Sequence, residues 1–380
     1  MSIEEGPGER GGVRKVVRRR PPRQRLPRTA RDLRGQRALA GLRRTFTQPE
    51  EAVREWGYTL APWRLAAIGV VIVLVLGFSW VRLFQVGPPS TEDLRRAAGV
   101  DEWATLPIGV KNDQPGTSFY DDELGTWAGF DIDIAYMVAE DLGFRRDEVQ
   151  FYAIESEDRA RMEATDLDLR PQPVKLVIAS YSITDAREQM PNVMFSESYL
   201  HTEQSVLTLP DHPRVTSLED LKGKRVCSLS SSTSETQVEK AGADLKRVNR
   251  VGECLPLLDR GEVDAVSTDA AILGGFKAKF PDRYDHWDLG LDETEAWGIS
   301  TGANEALRDL VNVTLYRSYA DPEDSRWEDA YEASIRPEMN LQTNKGPDGV
   351  GLPLVPLARP QQPFIDRPAV RELPWEELTP

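Results

Sequence analysis

The chain has 380 residues, 40% of them hydrophobic, with 62 acidic against 47 basic side chains and a net charge of −15. At about 150 residues per domain this length allows two to three units, and the apolar content excludes a wholly disordered chain. Two cysteines and three histidines (His201, His212, His286) are too few for a Cys/His zinc site, which needs about four ligands at tight spacing. No histidine stands beside a nucleophile motif. The expectation is therefore no metal, no cofactor and no enzyme.

The charge is unevenly placed. Residues 1–64 hold 16 basic and 7 acidic side chains, a net of +9; the remaining 31 basic and 55 acidic residues give −24. Such polarisation suits a chain in two electrostatic environments, and an acidic main body argues against nucleic acid as a partner. Within 1–64, VRKVVRRRPPRQRLPR has neither a helical nor an alternating apolar pattern. This segment is expected to be disordered, with at most a weak basic helix around Ala30 to Phe46. It could attach to anionic lipid, dock a partner, or serve only to set topology.

Leu65 to Val81 reads LAAIGVVIVLVLGFSWV without a charge, flanked by Trp63 and Arg64 on one side and by Trp80 and Arg82 on the other. The run is near the lower length limit for a membrane-spanning helix, and tryptophan at both ends fits an interfacial belt. A buried core helix and a cleaved signal peptide are the alternatives. The first would show a polar face. The second would have a shorter charged region and a small-residue cleavage site, where the exit here reads GFSWVRLFQVGPP. The expectation is an uncleaved signal anchor over 65–82. The positive-inside rule then places the basic N-terminus in the cytoplasm and the acidic body outside the membrane.

After a linker at Pro88, Pro89 and Ser90, short apolar runs alternate with helix-like stretches, the pattern of an α/β fold. Leu106–Val110 reads as a strand. Phe130 to Leu142 reads as a helix, with Phe130, Ile134, Met137, Val138 and Leu142 on one face, Asp131 as its cap and Gly143 as its stop. Val174–Ser180 reads as a strand, followed by a helix from about Ala186 with Asp185 and Glu188 as a capping box. Lys224–Ser230 and Val263–Asp269 read as further strands, the first followed by a helix capped by Ser234 with Gln237. Ligands in open α/β sheets bind at the carboxyl ends of strands, where helix N-termini expose N–H groups suited to an anion. After about Thr343 the composition turns proline-rich, and 341–380 is expected to be an extended tail; its final PWEELTP could dock a partner.

Taken together, WAGFDIDIAYMVAEDLGF, IASYSITDAREQMPNVMFSESYL, LEDLKGKRVCSLSSSTSE and RGEVDAVSTDAAIL, in this order, resemble the family 3 extracytoplasmic solute-binding proteins, which serve polar amino-acid ABC transporters. IGVKNDQPGTSF, RVCS and GECLPLL are more similar to the glutamate-binding branch. The resemblance covers about Thr91 to Pro337. It implies a two-lobe, periplasmic-binding-protein-like (type II) α/β clamshell, here preceded by one transmembrane helix. Lobe 1 would comprise 91–204 and a return segment 299–340, and lobe 2 would comprise 205–298. The lobes would be crossed near Ser205–Leu209 and Trp297–Ser300, with an amino acid held in the cleft.

A buried zwitterion needs a bidentate cation for its carboxylate and an acid for its ammonium. Arg187 in ITDAR matches the family's α-carboxylate arginine, with an exposed helix salt bridge as the alternative. Asp269 in VSTD matches the ammonium-binding aspartate, with a plain N-cap as the alternative. Ser180 and Ser182, two apart at a strand end, point the same way and can bond the ligand. Ser232 and Thr233 match positions that meet the carboxylate, or are simple turn and cap residues. Arg159 fits the position that reads a distal carboxylate, and Lys111 is a second candidate; either could be a solvated surface charge. Two such cations favour glutamate or aspartate over glutamine. EATDLDLRPQP replaces the usual turn before the Val174 strand, and Lys175 stands where an acid is common. Cys227 and Cys254, both in the implied second lobe, are expected to form a disulfide. The implied partner is an ABC permease; the alternative is a sensor that reports amino-acid occupancy to a membrane or cytoplasmic partner.

Overall fold

The computed structural model describes residues 49–84, 87–289, 295–339 and 362–371, in two units, Met1–Gln85 and Val86–Pro380. In the first, helix α1 spans Pro49–Phe84, and its stretch Pro62–Arg82 is long and apolar enough to cross a membrane. None of that stretch is buried, so the core-helix alternative has no packing to support it. The disorder expected across 1–64 is corrected from Pro49 onward. Proline suits the first helical position, where its missing N–H is not needed, and Glu-Glu-Ala-Val-Arg-Glu after it is rich in helix formers. Residues 1–48, with the basic helix expected near Ala30–Phe46, lie outside the described residues.

The second unit opens with a helix not foreseen in the sequence, α2 (Thr91–Ala98). Ser90 is its N-cap: Ser90 Oγ accepts from Asp93 N at 3.2 Å, and the Asp93 carboxylate accepts from Ser90 N at 3.1 Å, a reciprocal capping box. The elements that follow are β1 (Leu106–Val110), β2 (Asp113–Gln114), β3 (Ser118–Asp121), β4 (Thr126–Ala128), α3 (Phe130–Asp141), β5 (Val149–Ala153), β6 (Glu163–Thr165), β7 (Pro171–Pro173), β8 (Leu176–Val177), α4 (Asp185–Glu188) and β9 (Phe195–Thr202). Then come β10 (Gln204–Thr208), β11 (Arg225–Leu229), α5 (Thr233–Lys240), β12 (Asp244–Val248), α6 (Cys254–Asp259), β13 (Ala265–Asp269), α7 (Ala270–Lys279), β14 (Asp285–Asp288), β15 (Glu295–Ser300), α8 (Glu305–Ala320) and α9 (Arg326–Met339).

Two main sheets form the two lobes. The first has the order β7-β6-β5-β1-β8-β15-β9, the second β12-β11-β13-β10-β14, and β2-β3-β4 make a small third sheet. β1 runs parallel to β5 and β8, and β11 runs parallel to β12 and β13. EATDLDLRPQP builds the β6-β7 hairpin that widens the first sheet. Lobe 1 packs around an aromatic cluster: Phe130 stacks on Tyr199 at 6.1 Å and meets Trp327 edge-on at 5.9 Å, and Trp327 Nε1 donates to the Tyr199 carbonyl at 2.8 Å. α9 packs against both α3 and α7.

Several sequence expectations shift. The chain leaves the first sheet at the end of β9 and enters the second at Gln204, so the first crossing lies at Glu203. Ser205–Leu209 follows it, with Ser205–Thr208 inside β10. The second sheet's last strand ends at Asp288 and Trp297–Ser300 already belongs to β15, so the described return to the first sheet begins at Glu295, not 299. QSVLT and EAWGIS pair as strands through their length, which pushes the crossings to their ends. The strand expected over Val174–Ser180 shortens to Leu176–Val177 because Ser180 takes a left-handed φ of +46°. The cap of α3 is Gly129, not Asp131. Gly129 has φ +121°, and a Cβ there would meet the Thr117 carbonyl oxygen at 2.5 Å, which only glycine avoids. Gly143 ends this helix with φ +86° as expected.

Residues 362–371 form neither helix nor strand but dock on the lobe. Ile365 is buried, Gln362 Nε2 donates to the Leu315 carbonyl at 3.3 Å, Arg371 N donates to the Pro89 carbonyl at 2.9 Å, and the Arg371 guanidinium pairs with Asp93 at 2.8 Å. PWEELTP lies outside the described residues.

Cys227 on β11 and Cys254 at the start of α6 are joined by a disulfide, both buried, 27 residues apart. Closing a loop of that size stabilises by about 3–4 kcal/mol through lost unfolded-state entropy. The double variant Cys227→Ala/Cys254→Ala should lose about that much in urea unfolding; a loss below about 1 kcal/mol would reject the bridge as a structural staple.

Candidate ligand-binding cleft

The parallel strands aim their carboxyl ends at the gap between the lobes, and the chain there carries the polar side chains. Lys111 follows β1 directly. Arg159 comes after β5, and Ser180 and Ser182 follow β8. Ser232 and Thr233 follow β11, and Asp269 is the last residue of β13. Together with Arg187 on α4, all eight line one narrow cavity, joined by Gln114, Ala179, Leu229, Thr268 and Ile272.

Arg187 is buried, so the surface salt-bridge alternative fails. α4 is capped by Thr184, whose Oγ1 accepts from Arg187 N at 3.3 Å, one residue before the expected Asp185–Glu188 box. The guanidinium donates to the Ser182 carbonyl at 2.7 Å and, across the cleft, to the Ser231 carbonyl at 3.0 Å. It also lies over the Tyr181 ring at 4.9 Å. Burial pushes its pKa down. Arg159, also buried, covers the same ring at 4.2 Å and donates to the carbonyls of Ser156, Ala179 and Ser180, each at 3.2 Å. Burial, then the charge of Arg187, push it down to about 9, which still leaves it charged at neutral pH. Lys111 donates to Ser156 Oγ at 2.9 Å; burial, then Arg159, lower it to about 8. Neither Arg159 nor Lys111 is a solvated surface charge.

Asp269 sits at the N-cap of α7 but makes no cap bond. Its carboxylate accepts from Trp297 Nε1 at 2.6 Å and from Ser234 Oγ at 3.2 Å. Burial, then Glu295, push it up to about 7. The plain-cap alternative therefore fails for Asp269, but it holds for the Ser232 side chain. Ser232 Oγ accepts from Glu235 N at 3.0 Å and donates to the Leu229 carbonyl at 2.7 Å, so the cap of α5 lies two residues before the expected Ser234. Ser180 and Ser182 both line the cavity, but not by strand alternation, since Ser180 is left-handed.

Sequence reasoning missed Gln114, Thr268, Ser234 and Trp297. Trp297 had no local signal: its indole reaches Asp269 only because β15 returns to the first lobe. Thr268, next to Asp269 at a strand end, could have been found. The cavity wall carries three cations against one carboxylate, and the acceptors of both arginines are neutral carbonyls. Such a wall has the charges to pair with both the carboxylate and the ammonium of an amino acid.

The profile of the bacterial extracellular solute-binding proteins, family 3, matches residues 106–332. The chain belongs to this family. Its relatives include the glutamate-binding protein GluB of Corynebacterium efficiens, 30% identical over 58% of this chain and 76% of that protein. The ABC transporter glutamine-binding protein GlnH of Bacillus subtilis is 29% identical over 63% of this chain and 84% of that protein. Membrane-bound lytic murein transglycosylase F of Ectopseudomonas mendocina is 26% identical over 60% of this chain but only 46% of that protein. Among solved structures, an ancestral arginine-binding protein bound to glutamine superposes with a TM-score of 0.53 at 28% identity, covering 61% of this chain and 98% of that one. The chain is thus an amino-acid solute-binding protein of family 3 with the family's two-lobe fold.

Further contacts join the lobes of this family 3 protein away from the cavity lining. Arg250 pairs with Glu155 at 2.8 Å, the Asp113 carboxylate accepts from Gly252 N at 2.9 Å, and Lys279 lies over the Phe119 ring at 4.1 Å. These bonds form only when the lobes meet, so they add to the stability of the closed state. The Arg250–Glu155 pair is about one-third exposed and contributes under about 1 kcal/mol. Arg250→Ala should raise the ligand off-rate about two- to fivefold in stopped-flow measurements and leave the on-rate within twofold; an unchanged off-rate would remove the pair from the closure.

Proposed function

We propose that this protein is a membrane-anchored extracytoplasmic receptor for an acidic amino acid, L-glutamate or L-aspartate, which it delivers to an ABC permease. The observation that carries this reading is the buried cation excess of the cavity, Lys111, Arg159 and Arg187 against Asp269. Glutamate brings two carboxylates and one ammonium, the complement of that wall. Arg187, with the first N–H groups of α5 at Thr233, takes the α-carboxylate. Asp269 takes the ammonium. Arg159 and Lys111 take the distal carboxylate, which in glutamine is a neutral amide. The name of GluB supports an acidic ligand and that of GlnH an ABC partner. In this reading the stretch Pro62–Arg82 is retained as the anchor, with the basic N-terminus in the cytoplasm. The site binds reversibly, without catalysis: Arg187 and Asp269 are arranged to hold a zwitterion, and the likeness to transglycosylase F spans under half of that enzyme.

A sensor reading draws on one observation. Residues 362–371 lie beyond the matched family segment and bond back to Pro89 and Asp93, so the tail meets the start of the unit, just after the apolar helix in sequence. Pull-down with residues 1–64 tests it: recovery of a specific membrane or cytoplasmic protein would favour sensing, and recovery of lipid alone would favour transport.

In calorimetry of the second unit against the common amino acids, L-glutamate or L-aspartate should bind, and Arg187→Ala should remove most of that binding. Arg159→Met should weaken glutamate binding roughly 10- to 100-fold, the scale of a lost charge-assisted bond, while costing glutamine less than threefold. Heat from no acidic or amide member would overturn the assignment.

Affinity should also depend on pH on both sides. Asp269 must be ionised to hold the ammonium; with its carboxyl pushed up to about 7, a bound proton increasingly competes as pH falls below 7, and affinity drops. Lys111 must be protonated to hold the distal carboxylate; with its ammonium lowered to about 8, affinity drops as pH rises above 8. Glutamate affinity should therefore peak between about pH 7 and 8, and Lys111→Met should flatten the alkaline side. A flat profile from pH 6 to 9 would reject both roles.

A further inference from the structure

Asp131 lies one layer behind the cavity and does not line it. It sits in the first turn of α3, fully buried, and it is not the helix cap. Among the described residues no cation bonds to its carboxylate. Oδ2 accepts from Ser180 N at 2.9 Å and Oδ1 from Tyr199 Oη at 2.8 Å, while the single Ser180 hydroxyl proton is shared between Oδ2 at 3.2 Å and Gln114 Oε1 at 3.1 Å. An ionised carboxyl held without a counter-charge is costly to bury, and burial pushes this one up to about 6. A helix built only for packing would place an apolar side chain there.

Ser180, the residue this carboxylate grips, has a left-handed φ of +46°. A Cβ crowds the following carbonyl in that conformation, so a serine holds it only where its surroundings enforce it. The left-handed turn aims the carbonyls of Ala179 and Ser180 at Arg159 Nη1, each at 3.2 Å. The other arm of Asp131 fixes Tyr199, whose ring lies 6.3 Å from Trp297, the donor to Asp269.

We infer that Asp131 is a positioning residue for ligand binding: by gripping the backbone N–H of Ser180 it holds a strained turn that presents Arg159 to the ligand. This deepens the acidic amino-acid reading and rests on it for the choice of ligand. The grip is needed only because residue 180 has a side chain; glycine adopts the same φ without crowding. A double-mutant cycle in affinity therefore separates positioning from plain structural support.

In the full chain, Asp131→Asn should weaken L-glutamate binding about tenfold, the scale of one strained residue released. In the Ser180→Gly background the same change should cost less than about threefold. Unchanged affinity of Asp131→Asn, or an equal loss in both backgrounds, would overturn the inference. Amide hydrogen exchange at Ser180 reads the grip without any ligand: slow exchange in the wild type that becomes fast in Asp131→Asn supports it, and equal protection overturns it. Should Asp131→Asn fail to fold, Tyr199→Phe removes one bond to the carboxylate while keeping the ring, and should accelerate exchange at Ser180; unchanged exchange would again overturn the inference. Failure of the wild type to bind L-glutamate would overturn the acidic-ligand reading alone, since the exchange experiment does not involve it.

Discussion

Buried charge is the constraint around which the second unit is arranged. Lys111, Arg159 and Arg187 are each almost out of reach of water, and the bonds that hold both arginines run to backbone carbonyls, not carboxylates. Desolvating a cation costs several kcal/mol unless an anion compensates. Among the residues that line the closed cleft, cations outnumber carboxylates three to one, the imbalance on which the proposed acidic ligand rests. Carbonyl acceptors fix the guanidinium planes without neutralising them, which keeps attraction in reserve for the ligand.

The fold supplies those positions economically. Parallel strands deliver their carboxyl ends to one edge of each sheet, so five strand ends from two sheets converge on one narrow cavity. Arg187 donates to Ser182 in its own lobe and to Ser231 in the other, so the residue assigned to the α-carboxylate also senses closure. Asp269 is tied to lobe 1 through the Trp297 indole. Closure and site assembly are thus one event, the expected basis for ligand-driven population shift in a hinged protein.

Outside the family segment the chain adds two features. The stretch Pro62–Arg82 is exposed and apolar, suited to hydrocarbon. At the other end, residues 362–371 fasten to α2 and α8 of the first lobe.

Much of this was legible in the residues themselves. Uncharged LAAIGVVIVLVLGFSWV marks an apolar helix by composition, and hydroxyl and charged residues at the ends of apolar runs mark a site because strand ends in α/β sheets face ligands. All eight residues named from the family resemblance and from these strand ends line one cavity. What sequence could not decide depends on long-range contacts. A left-handed Ser180 ends a strand early because Asp131, 49 residues away, grips it. Trp297 reaches Asp269 only after the chain has crossed between lobes twice. Caps moved by one or two residues: Thr184 and Ser232 start the helices in place of Asp185 and Ser234, and the Ser234 hydroxyl donates to Asp269 instead. Local pattern determines which residue types stand at a strand end; only the packed lobes decide which of them faces its partner, because that choice is made by distance in space.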